Sequence, residues 1–115
     1  MNMMAETIMG VAGITTRIAA DDTSNNLIDD GGLTMVSTTT KRVIQAVLIT
    51  CEDNDVRIAF AADAAQGAGV EVGHVLAVGA SLFISNAANV RSLRYINETN
   101  GSNGVLMVTP FYATN

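Results

Sequence analysis

The chain has no tryptophan, one cysteine, one histidine, one proline and only five other aromatic residues, three Phe and two Tyr. Each scarcity removes a class of chemistry. A lone Cys51 rules out an intrachain disulfide and a cysteine-rich metal site, and nothing in the composition points to an oxidising compartment. With His74 as the sole imidazole, a serine or cysteine nucleophile has only one histidine to serve as its base. Lys and Arg total six against eleven Asp and Glu, for a formal charge of -5, and Arg17, Lys41, Arg42, Arg57, Arg91 and Arg94 are scattered. Phosphate neutralisation needs massed cations, so nucleic-acid binding is not expected. No apolar run approaches the ~18 residues of a spanning helix, so no membrane partner is expected either. The first ten residues lack a basic segment followed by a sustained apolar one, and synthesis in the cytoplasm is expected.

What the chain does have is small and aliphatic apolar side chains. Hydrophobic residues make up 49% of 115 and charged ones 15%, the latter well under the roughly 25% usual in soluble domains. That length supports one core, and apolar area it cannot bury internally goes to an interface. Residues 1–12 are read as a flexible arm and 13–115 as one domain. Parity alternation marks a strand over Gly13–Ala20, and Asp21–Gly32 reads as a turn-rich loop interrupted by Leu27 and Ile28. A short strand is expected over Leu33–Thr38. Arg42–Cys51 is apolar on both parities, which predicts burial of both faces. Val56–Phe60 alternates cleanly, and Glu52-Asp53-Asn54-Asp55 between the two predicts a β-hairpin. Asp63–Gly73 reads as a long connection between sheets, followed by strands at His74–Val78, Ser81–Ser85, Val90–Asn97 and Val105–Tyr112. Asn100-Gly101 and Asn103-Gly104 predict a hairpin joining the last two. Pro110, which has no backbone donor, is expected on an edge strand or at a bulge, and so at the edge of its sheet. Seven to eight short strands with no long helical period define an all-β fold, an antiparallel β-sandwich or small jelly roll.

Candidate chemical groups have plain structural explanations. His74 stands in an apolar strand opening, where a structural histidine is expected, and Cys51 reads as a small core residue. The pairs Asp21-Asp22 and Asp29-Asp30 and the turn at 52–55 are oxygen-rich but match no complete calcium loop. Gly67-Ala68-Gly69 lacks the lysine and the strand-glycine-helix order of a phosphate loop. Asn97-Glu98-Thr99 and Asn100-Gly101-Ser102 fit a glycosylation pattern that has no use without secretion. Arg91 and Arg94 read as a solvated strand face, or as partners for the acidic turns of a neighbouring subunit. No catalytic set, metal or cofactor is expected, and the chain is not read as an enzyme.

From about Val43 to Phe111 the order of features resembles small structural proteins of tailed bacteriophages, in particular head decoration (cement) proteins. The residues that carry this are Gly73-His74-Val75-Leu76-Ala77-Val78-Gly79-Ala80-Ser81-Leu82-Phe83-Ile84, a hydrophobic strand, a small turn and a second hydrophobic strand. Val90–Asn97 and Val105–Thr109 follow in the same layout. The resemblance implies a jelly-roll or immunoglobulin-like domain, a homotrimer, and a virion protein that clamps subunits of the major capsid protein. A tail or connector component is the alternative within virions, and a carbohydrate-binding β-sandwich module the alternative outside them. The residues expected at partner contacts are Met3, Met4 and Ile8 of the arm and Met107, Phe111 and Tyr112 of the last strand.

Overall fold

The structure is a computed structural model and describes residues 10–67, 69 and 71–114. Among them the strands are β1 (Val11–Ala12), β2 (Thr16–Ala20), β3 (Asn25–Asn26), β4 (Ile44–Glu52), β5 (Val56–Phe60), β6 (His74–Leu76), β7 (Ser81–Ser85), β8 (Leu93–Asn97) and β9 (Gly104–Tyr112). A six-residue helix, α1 (Ala87–Ser92), lies between β7 and β8. Two antiparallel sheets form an all-β sandwich. The larger has the order β1-β9-β4-β7, with β2 also paired to β9, and the smaller has the order β3-β8-β5-β6. Between them lies one core of mostly aliphatic side chains, including Ile18, Val47, Ile49, Val56, Ile58, Leu93, Leu106 and Val108. Burying each such side chain stabilises the fold by roughly 1.5–3 kcal/mol. Tyr95 is the one aromatic residue wholly inside the core, at 1% exposure.

The alternation expected of Val56–Phe60 is present, with Val56 and Ile58 inward. Its expected hairpin with β4 is not. Both edges of β4 are taken, by β9 and by β7. The turn at 52–55, with Asp53 at φ 69°, therefore delivers the chain to the opposite sheet. The Asn-Gly segment behaves alike: Gly101 adopts φ 82° and Thr99 bridges Ser102, yet β8 and β9 lie in different sheets and form no hairpin. The long connection at 61–73 does not cross between sheets, because β5 and β6 pair with each other. The crossing is made instead by the four residues 77–80 that join β6 to β7.

Val90–Asn97 divides into the end of α1 and β8. Asn86 accepts a bond from the Ala88 N–H at 2.8 Å, which satisfies one of the free donors of a helix start and turns the chain into α1. The strand expected at Leu33–Thr38 reduces to a single bridge, Val36 to Val43. The last strand is not at an edge, since β9 has β4 on one side and β1 and β2 on the other. Pro110 is accommodated because the β1 register (Ala12 with Phe111) and the β2 register (Thr16 with Val108) differ by one residue, a bulge opposite the proline. The Pro110 carbonyl faces that bulge and accepts from the Gly13 N–H at 2.7 Å. A strand residue's N and C=O point the same way, so the missing donor also falls where the ladder is broken. Among the described residues the sheet begins at Val11, inside the stretch read from sequence as an arm. No helix among the described residues is long and apolar enough to cross a membrane.

Candidate interaction surface

The two sheets differ on the faces turned away from the core. On β4 the inward residues are Val47, Ile49 and Cys51, so Ala46, Leu48 and Thr50 point outward. The register then assembles three outer rows across β9, β4 and β7. They are Phe111-Ala46-Ser85, Thr109-Leu48-Phe83 and Met107-Thr50-Ser81. Phe83 and Phe111 flank the β4 strand and meet edge to face, their ring centroids 6.1 Å apart, within the range favoured by the ring quadrupoles. Ala46 is fully buried although it belongs to no core cluster. Its methyl lies on the outer face, in the row between Phe111 and Ser85. Leu48 and Phe83 remain 37% and 38% exposed. Hydroxyl pairs border this patch, Thr15 Oγ1 to Thr109 Oγ1 at 2.6 Å and Thr50 Oγ1 to Ser81 Oγ at 2.9 Å. Arg17 and Asp53 form an exposed ion pair at 3.4 Å.

The centre of the smaller sheet's outer face is covered by the chain itself, while Val75 of β6, beside Arg57 on that face, stays exposed. Ala64 of the β5–β6 connection packs on Ala59 and Ile96, making a second small apolar cluster. The Ala64 N–H donates to Ser24 Oγ at 3.0 Å, which holds the connection down. Arg57 reaches both carboxylate oxygens of Glu98 at 2.7 and 2.8 Å and donates to the Gly73 carbonyl. This bidentate pair raises the Arg57 pKa. Arg94 pairs with Asp63 at 3.0 Å and donates to the Ser24 carbonyl.

Of the residues expected at partner contacts, Met107 and Phe111 are brought together on the open face of the larger sheet, each partly exposed. Tyr112 faces the other way. It packs against the core, and its hydroxyl donates to the Thr34 carbonyl at 3.3 Å. Its ring lies against Gly13, where a Cβ would sit 2.7 Å from the ring edge, so only glycine fits there. Tyr112 therefore belongs to a different feature, an open groove of about 670 Å³ between the β1 segment and the hydroxyl-rich loop at 37–40. Ser37 Oγ accepts from the Thr39 and Thr40 N–H groups and holds that loop. Met3, Met4 and Ile8 lie outside the described residues. Sequence reading did not assign Leu48 and Phe83 to the contact set. Their position on the face depends on the pairing of β4 with β7, which no local pattern encodes.

His74 is exposed at the start of β6. Cys51 is fully buried, and its thiol donates to the Asn54 carbonyl at 3.2 Å. Burial pushes its pKa up, reinforced by Asp55, Asp53 and Glu52, so the thiol is held in its unreactive form. Burial likewise raises the Tyr95 phenol to about 12, helped by Asp30 and Asp21. Among the described residues no group of three or more His, Cys, Asp or Glu side chains is placed to hold a metal ion. The acidic pair Asp21-Asp22 serves as a brace. The Asp21 carbonyl accepts from the Asn97 N–H at 2.9 Å. Asp22 Oδ1 accepts from the Asn97 side chain at 2.6 Å and from the Gly101 N–H at 2.8 Å. Asn97 is itself fully buried and accepts from Gln66 at 2.5 Å.

No family model, curated protein or solved structure matches this chain.

Proposed function

We propose that this chain is a virion structural protein that stabilises a shell by docking the open face of its larger sheet on capsid subunits. The observation that carries the reading is the placement of the phenylalanines. A chain with three Phe keeps none of them in its core clusters and sets two, Phe83 and Phe111, as a paired unit on the outer face of the larger sheet. Aromatic rings left at a surface are common anchors of protein interfaces, and the hydroxyl pairs around them, with the Arg17–Asp53 ion pair beside Met107, supply a polar rim. The resemblance to tailed-phage decoration proteins gives the partner, the major capsid protein. Such a protein acts by mass action: binding only the assembled shell shifts the assembly equilibrium, and many weak copies add through multivalency.

The test is co-sedimentation of purified protein with expanded tailed-phage heads stripped of their decoration. The protein is expected to pellet with the heads, and Phe111→Ser to abolish pelleting while leaving the fold intact. Failure of the unsubstituted protein to pellet, or pelleting unchanged by Phe111→Ser, overturns the reading.

A further inference from the structure

Among the described residues the larger sheet has a free edge at β7. Cys51 N–H donates to the Ala80 carbonyl, and Asn86 N–H to the Gln45 carbonyl. Even-numbered residues of this strand therefore turn their backbone groups toward β4. Directions alternate along a strand, so Ser81, Phe83 and Ser85 turn theirs outward, away from β4. An edge left in this state is a template for another strand. Native proteins blunt such edges with charge, proline or bulges, and Ser81-Leu82-Phe83-Ile84-Ser85 has none of these. Its one protection is partial: Asn89 Nδ2 donates to the Ser85 carbonyl at 3.2 Å, which occupies one of two lone pairs.

The strand is also symmetric about its centre, Ser-Leu-Phe-Ile-Ser. We infer that two copies of this chain pair antiparallel through β7 about a twofold axis at Phe83. Each Phe83 then exchanges both backbone bonds with the other, Ser81 faces Ser85, and Leu82 faces Ile84. The two open faces become one continuous surface. Beside the edge lies a cleft of about 300 Å³ lined by Phe60, Phe83, Ile84, Ser85 and Asn89, which the second copy covers.

Charge fits the same arrangement. At the Ser81 end stands the acidic turn with exposed Glu52, Asp53 and Asp55, while α1 at the Ser85 end carries exposed Arg91. Among the described residues Arg91 has no ion-pair partner. An antiparallel twofold brings the acidic end of each copy beside Arg91 of the other, twice per dimer. Phe60 and Phe83, at 41% and 38% exposure, supply on the order of 150 Å² of aromatic surface per copy. With a five-residue strand this stays under the ~800 Å² per partner of a standard interface, so the dimer is reversible, with a Kd on the order of micromolar.

This inference names the self-association and goes beyond the shell-binding reading, which stands or fails separately on co-sedimentation. A twofold contact closes at two copies, whereas the family resemblance implies three. Sedimentation equilibrium of the full chain over a range of concentrations is expected to show a monomer–dimer equilibrium. Arg91→Glu should weaken it about tenfold, and adding Glu52→Arg to that variant should restore it. Ser85→Pro removes an outward N–H at the edge and should leave a folded monomer. A trimer, a monomer at every concentration, or a dimer indifferent to Arg91→Glu overturns the inference.

Discussion

The outer faces of the two sheets have been treated in opposite ways by the same chain. On the smaller sheet, Ile96 and Ala59 lie under Ala64 of the β5–β6 connection, and Arg57–Glu98 and Arg94–Asp63 close the remaining surface with ion pairs. On the larger sheet, Leu48, Phe83, Phe111 and Met107 face outward with hydroxyl groups around them and no segment of the described chain packed over them. Both faces are apolar at their centres, and only the smaller sheet has that centre covered, with Val75 exposed at its β6 margin. In a chain with so few charges, part of the apolar surface is left uncovered, and here its aromatic part is gathered on one face. The difference therefore separates a face whose centre the described chain covers itself from one it leaves open, the face on which the proposed docking rests.

The largest expected effect tests this separation directly with the same loss of bulk on each face. Ile96→Ala, beneath the cover at 5% exposure, is expected to cost about 2–4 kcal/mol of folding stability. Leu48→Ala, on the open face, is expected to cost less than about 1 kcal/mol, because water already reaches that side chain. Urea unfolding of the two variants at a concentration where the protein is monomeric gives both numbers. Equal losses would remove the distinction between the faces.

A smaller effect is expected at the ion pair that closes the covered face. Arg57 and Glu98 have side-chain exposures of 12% and 27%, and the contact is bidentate. It is thus shielded enough to matter and wet enough to limit its worth. Glu98→Gln keeps the shape and one acceptor but leaves the guanidinium without its counter-charge. The expected loss is about 1–2 kcal/mol, little changed by salt for so short and sheltered a pair. A loss that vanished at high salt would show that this face is as open as the other.

The elements were more legible in the sequence than their arrangement. Val56–Phe60 and Ser81–Ser85 are bounded by turn residues and short enough that alternation and flanking signals place them. Asp53 and Gly101 also reverse the chain as their residue types suggest, at φ 69° and 82°. What those turns do not encode is whether the chain returns beside the strand it left or in the opposite sheet. That depends on whether the strand's edge is already occupied, as both edges of β4 are. The six-residue α1 was hidden because fewer than two turns give no helical period, and only Asn86 as a cap signals it. Met107 and Phe111, expected at contacts together with Tyr112 because the last strand reads as an edge, share one parity of β9, and that parity is a local property. Leu48 and Phe83 join them only through the register of β4 with its two neighbours, a long-range outcome. Tyr112, one residue from Phe111, falls on the opposite face for the same reason that adjacent strand residues always do.

The smallest effect concerns the brace that ties the Asp21–Asp22 loop to the end of β8 and to the turn beyond it. The Gly101 N–H and then the Asn97 side chain hold the Asp22 carboxyl below its ordinary pKa. A carboxylate stabilised in the folded state binds its proton more readily once the chain unfolds. Its contribution is therefore present in full above the ordinary aspartate range and is lost as pH falls through the depressed folded value. Asp22→Asn removes this charge-assisted pair of bonds and is expected to lower the melting temperature modestly at pH 7. The gap to the unsubstituted protein should close on acidification, because the native carboxyl is then neutral as well. Melting curves across the acid range read this out. A gap independent of pH would mean that Asp22 acts through shape alone. Asn97, buried on Val56 of the smaller sheet, would then be held by Gln66 and its own backbone bond to Asp21. The brace would remain with the charge removed, and the covered side of the molecule would depend on packing with no electrostatic part at this corner.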